Sequence, residues 1–247
     1  RKRKKYNMKF EKYHGLGNDF LITEDLSIVG NSELIESVCN RYTGIGSDGL
    51  IIVKKDPLEM IFYNQDGTRG EMCGNGIRCF SYYCYNHNLL DSNNFECHTL
   101  DGVKHLEIKS DSPFIVKVKM GEMIDKIESI NIEFNGKQYL VYSLNFGVPH
   151  AVIYTTEEIT EELGKYISNH PYFVNKTNVN FVNIIDENNI KIITYERGVG
   201  FTKACGTGSC SSVVVSKKLE LVKNEVFVHQ ALGKLLITIE DNNIYME

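Results

Sequence analysis

Two short turns, Cys73-Gly74-Asn75-Gly76 and Cys205-Gly206-Thr207-Gly208, lie 132 residues apart in a chain of 247, and each runs straight into an apolar stretch. A recurrence at about half the chain length reads as an internal repeat, and it restricts the fold to one built twice. The segments around the turns agree. The first half offers strand-like runs at "MKFEKY", "FLIT", "LIIV", "MIFYN", "FECHTL", "VKHLEIKS" and "FIVKVKM", with a helix predicted over Asn31–Tyr42 and a second from near Cys73. The order restarts after Gly121, with strands at "SINIEF", "KQYLVYSLNFG", "HAVIY", "NFVNIID" and "NIKIITYERG". A short helix is expected within "TEEITEELGKYISNH" and another over "SSVVVSKKLEL", before final strands "EVFVHQ" and "KLLITIE". Val213–Val215 are poor helix formers, but a buried helix started by a Gly-rich loop overrides that preference. The expectation is therefore two α/β halves, 8–120 and 121–247, each many-stranded with one helix launched from a Cys-Gly-x-Gly turn.

Bulk properties narrow the function. With 42% hydrophobic residues, 24% charged and four prolines, the chain is ordinary for a globular protein. A net charge of −5 argues against a nucleic-acid partner. The one basic run, Arg1–Lys5, precedes Met8, and Arg1–Asn7 reads as an appended, disordered head. No run approaches the roughly 20 apolar residues of a membrane span, and no signal-peptide core follows the basic head. The expected location is the cytoplasm, away from membranes. Seven cysteines without a Cys-x-x-Cys pair support neither a zinc site nor a disulfide framework, so no metal is expected. Cys79, Cys84 and Cys210 fall on the expected helices and read as core, as do Cys39 and Cys97.

Cys73 and Cys205 differ from these. A helix start presents unpaired N–H groups and about half a positive charge, which favours a thiolate and cradles an anion. If the halves pack face to face, two such turns bring two thiols to one carboxylate-bearing carbon. One thiolate would then take a proton from one side while the opposite thiol gives one to the other. A waiting thiolate needs a partner, and the candidates are His150 in "NFGVPH" and Glu196 in "YERG". Two other readings stay open on the residues alone: a cysteine hydrolase using one thiol with His150, and a non-catalytic carboxylate-binding module.

The segments "HGLGNDF", "FYNQDGTRGEMCGNGIRCF", "GVPHAV", "TNVNFVNI" and "YERGVGFTKACGTGSC" resemble, in the same order, the diaminopimelate epimerases, from Met8 to about Ile239. The resemblance implies two similar α/β domains, each a curled, mostly antiparallel sheet around a central helix, with the site in the cleft between them. It implies a cofactor-free isomerase interconverting LL- and meso-diaminopimelate on the route to lysine and peptidoglycan. Carried over, Cys73 and Cys205 are the acid–base pair, assisted by His150 and Glu196 respectively. Gly74, Asn75, Gly206 and Thr207 hold the reacting α-carboxylate and its amine neighbourhood. Asn18, Asn64, Asn178 and Arg197 line the rest of the substrate site. Arg197 suits the distal carboxylate, because a planar guanidinium grips one bidentately. Val148 stands where many members carry an Asn that helps hold the distal end. Related folds act on other amino acids, such as histidine, so the substrate is a small amino acid not fixed by the resemblance alone. Family members often form dimers, so a homodimer belongs to the same expectation.

Overall fold

The computed structural model describes residues 8–247, and the basic head expected over Arg1–Asn7 lies outside them. The chain divides into two compact units, one ending at Val116 and the other spanning Lys117–Glu247.

In the first unit the elements are β1 (Glu11–Gly15), β2 (Asn18–Thr23), α1 (Ser32–Cys39), β3 (Gly49–Lys55), β4 (Leu58–Asn64), α2 (Gly74–Asn86), β5 (Asn94–Thr99) and β6 (Gly102–Asp111). The strands are three antiparallel hairpins, β1–β2, β3–β4 and β5–β6. Successive hairpins join side by side through parallel pairs, β2 with β3 and β4 with β5. Parallel neighbours need a crossover rather than a tight turn, and α1 and α2 are those crossovers. Both sheet faces are covered, so β3 is buried as a continuous run, Leu50 to Val53. Leu21, Leu50, Ile52, Ile61 and Tyr63 cluster with Ile35 and Cys39 of α1. The alternate residues Phe20 and Ile51 lie against α2 at Gly76.

β7 (Phe114–Glu122) runs across the division of the chain. The second unit continues with β8 (Glu128–Phe134), β9 (Lys137–Phe146), β10 (Val148–Tyr154), α3 (Glu161–Ser168), β11 (Asn178–Asp186), β12 (Asn189–Glu196), β13 (Gly200–Thr202), α4 (Gly206–Lys218), β14 (Glu225–Gln230), β15 (Gly233–Glu240) and β16 (Asn243–Met246). The plan repeats. Hairpins β9–β10, β11–β12 and β14–β15 join through parallel pairs β10 with β11 and β12 with β14. The crossovers are α3 and α4. Ala151, Ile153, Val179, Phe181 and Tyr195 pack with Leu163 and Ile167 of α3 on one face. The strands β9 to β12, with β15 and β16, contact α4 on the other.

Several local expectations change. The first strand starts at Glu11 rather than Met8. The first helix stops at Cys39, because Asn40 is extended and its side chain accepts from the backbone of Tyr42 and Thr43. Asn31 caps its start, accepting from the Leu34 amide. The short strands β13 and β16 carry too few residues to show a period. The valine-rich segment is helical, with Val213, Val214 and Val215 fully buried. Among the described residues no helix is long and apolar enough to cross a membrane.

Candidate active site

In the first unit the site begins at a hairpin. Leu16 and Gly17 both take positive φ, closing a two-residue loop that puts Asn18 at the head of β2. Cys73 is the N-cap of α2, in extended conformation (φ −129°, ψ 121°). Its sulfur accepts from the Gly76 amide at 3.5 Å and lies 3.7 Å from Asn18 Oδ1. The same Asn18 oxygen accepts from Asn75 Nδ2 at 3.2 Å, and Asn75 Oδ1 accepts from Arg78 at 3.1 Å. Asn18 is held from behind as well, its Nδ2 donating to Asp48 at 2.8 Å. Arg41 bridges Asp48 and Asp19, each at 2.6 Å, and Lys12 lies 2.9 Å from Asp19. Burial alone would raise the Asp19 carboxyl, but hydrogen bonds and charge from Arg41 and Lys12 outweigh it and hold it well below the carboxylate range. An ionic frame therefore sits behind the residue that touches the Cys73 sulfur.

In the second unit Cys205 has the same place on α4, as N-cap at φ −136°, ψ 113°. Its sulfur accepts from the Gly208 amide at 3.3 Å and lies 3.6 Å from Thr207 Oγ1. Its own amide donates to Gln230 Oε1 at 2.7 Å. Three neighbouring strands supply polar residues on the face turned to this helix start. His150 on β10 is fully buried, and its Nδ1 lies 3.1 Å from Asn180 Nδ2 on β11. Asn180 also donates to the Ala151 carbonyl at 3.2 Å and accepts from Thr194 of β12 at 3.0 Å. Its Oδ1 sits 2.4 Å from where a Cβ on Gly208 would be, so only glycine fits there without displacement. At the strand ends, Asn178 Oδ1 accepts from the Arg197 amide at 3.0 Å. Arg197 Nη1 donates to the Asn175 carbonyl at 3.0 Å, and Glu196 accepts from Thr202 at 2.8 Å.

Burial pushes Cys79 and Cys97 up to about 12 and Cys84 higher still, which leaves them protonated and inert at neutral pH. His150 moves the other way, to about 3 from an ordinary 6.5, chiefly through burial and then through the positive charge of Arg197. The folded protein thus refuses a proton that the unfolded chain accepts below 6.5, so His150 takes stability away as pH falls from about 6.5 towards about 3. The expected slope from this group is about 1.4 kcal/mol per pH unit. Urea unfolding at pH 7.5 and pH 5 checks it: His150→Gln should show a shallower loss than the parent, and equal slopes would refute the assignment.

The first unit thus brings Asn18, Cys73, Gly74 and Asn75 together. Asn64 shares a rung with Gly49 at the end of β4, and its side chain donates to Thr68 within its own turn. The second unit gathers His150, Cys205, Gly206 and Thr207 through the Asn180–Gly208 contact, and pairs Asn178 with Arg197. Val148 heads β10 opposite Phe146. Sequence reading missed Asn180, Thr194, Gln230, Arg41 and Asp48. For Asn180 a signal existed, since it shares its strand face with Asn178 two residues away.

Comparison with known proteins gives a consistent set of likenesses. The family model described as diaminopimelate epimerase matches residues 10–124 and 142–247. A diaminopimelate epimerase of Clostridium perfringens is 40% identical, the match covering 97% of this chain and 95% of that one. One from Caldanaerobacter subterraneus is 38% identical with the same coverage. Among solved structures, a hydroxyproline epimerase from Agrobacterium vitis superposes with a TM-score of 0.70 at 11% identity, over 97% of this chain and 87% of that one. A probable proline racemase from Agrobacterium radiobacter gives 0.69 at 12% identity, over 97% and 90%. At such low identity these two speak for the shared α/β fold.

Proposed function

The chain belongs to the diaminopimelate epimerase family, a family of isomerases acting on a small amino-acid substrate, and from that premise we propose that it inverts the α-carbon of LL-diaminopimelate to the meso form with Cys73 and Cys205 as its two acid–base groups. One thiolate removes the α-proton and becomes a thiol; the other thiol donates its proton to the opposite face and becomes a thiolate. Proton count and charge are conserved, and the reaction asks for no cofactor. The observation that carries the reading is the match between the two caps. Each cysteine is the extended N-cap of a helix, with its sulfur held by the amide three residues on, which lowers the cost of a thiolate at both. Gly74, Asn75, Gly206 and Thr207 then hold the α-carboxylate, where first-turn amides stabilise the charge that develops as the proton leaves. His150 and Glu196 assist Cys73 and Cys205 respectively, while Asn18, Asn64, Asn178 and Arg197 grip the remainder of the substrate. Both thiols must be reduced to work, which suits the cytoplasm; a homodimer is part of the same reading.

The test is isotopic. In deuterated water, LL-diaminopimelate should yield meso product carrying deuterium at the inverted carbon, faster than lanthionine, histidine or glutamate exchange theirs. Faster exchange with one of the other three would reassign the substrate, and no exchange with any would end the epimerase reading.

A further inference from the structure

We propose that Asn180 locks His150 in the tautomer protonated on Nε2, so that His150 serves as a hydrogen-bond donor and not as a base towards a thiol. The inference rests on the reading above, that His150 belongs to the reaction site. Asn180 Nδ2 lies 3.2 Å from the Ala151 carbonyl, which can only accept, so the nitrogen and not the oxygen must face that side. The oxygen faces the Thr194 hydroxyl at 3.0 Å, which completes the assignment. The same Nδ2 lies 3.1 Å from His150 Nδ1. An amide N–H pointed at a ring nitrogen requires a lone pair there, so Nδ1 carries no proton and the neutral ring carries it on Nε2. Full burial beside the charge of Arg197 keeps the ring neutral throughout the working pH range.

The other end of the ring shows what this arrangement is for. His150 Nε2 is buried and has no hydrogen-bond partner among the described residues. A buried donor left unmatched costs about 1–3 kcal/mol, and sites that keep one use it on a ligand or a reacting group. An Nε2–H has no lone pair to offer a thiol proton, so its service is to steady negative charge at the reacting centre. Asn180 touches no reacting atom in this account and is a positioning residue. Its close approach to Gly208 ties the orientation of the ring to the helix start that carries Cys205.

The experiment reads the tautomer directly. In protein labelled with 15N-histidine, a two-bond proton–nitrogen spectrum distinguishes the ring forms, and the His150 signal is identified by its loss in His150→Gln. We expect a neutral ring protonated on Nε2 from pH 8 to pH 5. Asn180→Asp, which replaces the donor by an acceptor, should move the proton to Nδ1 and lower kcat by about 10²-fold while KM changes only a few-fold. Should that variant fail to fold, Thr194→Val frees the amide more gently and should give mixed tautomers with a kcat loss of about tenfold. A ring protonated on Nδ1 in the parent, or a switched tautomer with unchanged kcat, overturns the proposal. Failure of the deuterium-exchange test would leave the ring spectrum standing, so the two readings fall separately.

Discussion

Alanine at Cys73 or at Cys205 will each abolish inversion, with a loss on the order of 10³-fold or more in kcat, the scale of a positioned proton-transfer group. The two losses should be of similar size, because an inverting reaction needs both a remover and a donor in every turnover. The caps complicate the interpretation, since each sulfur also receives an amide at its helix start. Loss of a cap costs about 1 kcal/mol, too little to unfold the protein but enough to blur a kinetic result. Serine resolves this. It caps a helix well, yet its hydroxyl is far too weak an acid to stand as an alkoxide. Cys205→Ser should therefore keep its urea midpoint close to the parent value while losing activity as fully as the alanine variant. Substantial activity in either alanine variant would refute a two-thiol mechanism.

The second large effect is at Gly208. Glycine to alanine inside a helix ordinarily stabilises by roughly 1 kcal/mol. Here the sign should reverse. The new Cβ would lie 2.4 Å from Asn180 Oδ1, and Asn180 is fixed by His150, Ala151 and Thr194. Either the helix start shifts or the amide lets go of its partners. We expect Gly208→Ala to destabilise by about 1–3 kcal/mol, as overpacking does, and to cut kcat on the order of 10²-fold through misplacement of Cys205 and His150. Gly76 is its counterpart in the other helix, and there an added Cβ meets nothing nearer than 3.3 Å. Gly76→Ala should be the milder change in both readouts. A thermal midpoint that rises in Gly208→Ala would show the contact to be soft.

These expectations draw on parts of the molecule that the sequence disclosed unequally. Both caps were legible, because a cysteine ahead of Gly-x-Gly and an apolar run can do little else than start a helix. The long strands and their restart after Gly121 were legible too, since alternation and turn residues mark them, whereas their pairing into hairpins was not. Strands β13 and β16 were not, for three or four residues carry no period. The end of α1 was missed because Asn40 stops it through its own side chain, with no glycine or proline to announce the break. Pairwise contacts over long separations were hidden altogether. Nothing near Cys205 announces that Gln230 holds its amide, and nothing near Asn18 announces Asp48 and Arg41. Asn180 was overlooked beside Asn178 because strand alternation assigns a face but not the neighbour met across it.

The valine- and serine-rich helix α4 has a further meaning. Ser209, Ser211, Ser212 and Ser216 are all fully buried, which would be costly for hydroxyls left without acceptors. Ser209, Ser212 and Ser216 turn back to carbonyls one turn earlier, at 2.7–2.8 Å, and so satisfy themselves within the helix. Ser216 also lies 2.9 Å from the Tyr154 hydroxyl of β10, and Ser209 accepts from Gln230 of β14 at 3.2 Å, while Ser211 Oγ has no hydrogen-bond partner among the described residues. The surrounding strands therefore meet a rod whose buried side chains are all short. What they register is its girth. Narrowness lets the strands close in, and it brings β11 near enough for Asn180 to rest against the backbone of the Cys205 turn. In this half of the molecule the helix and its sheet are matched by thickness as well as by the burial of Val213–Val215.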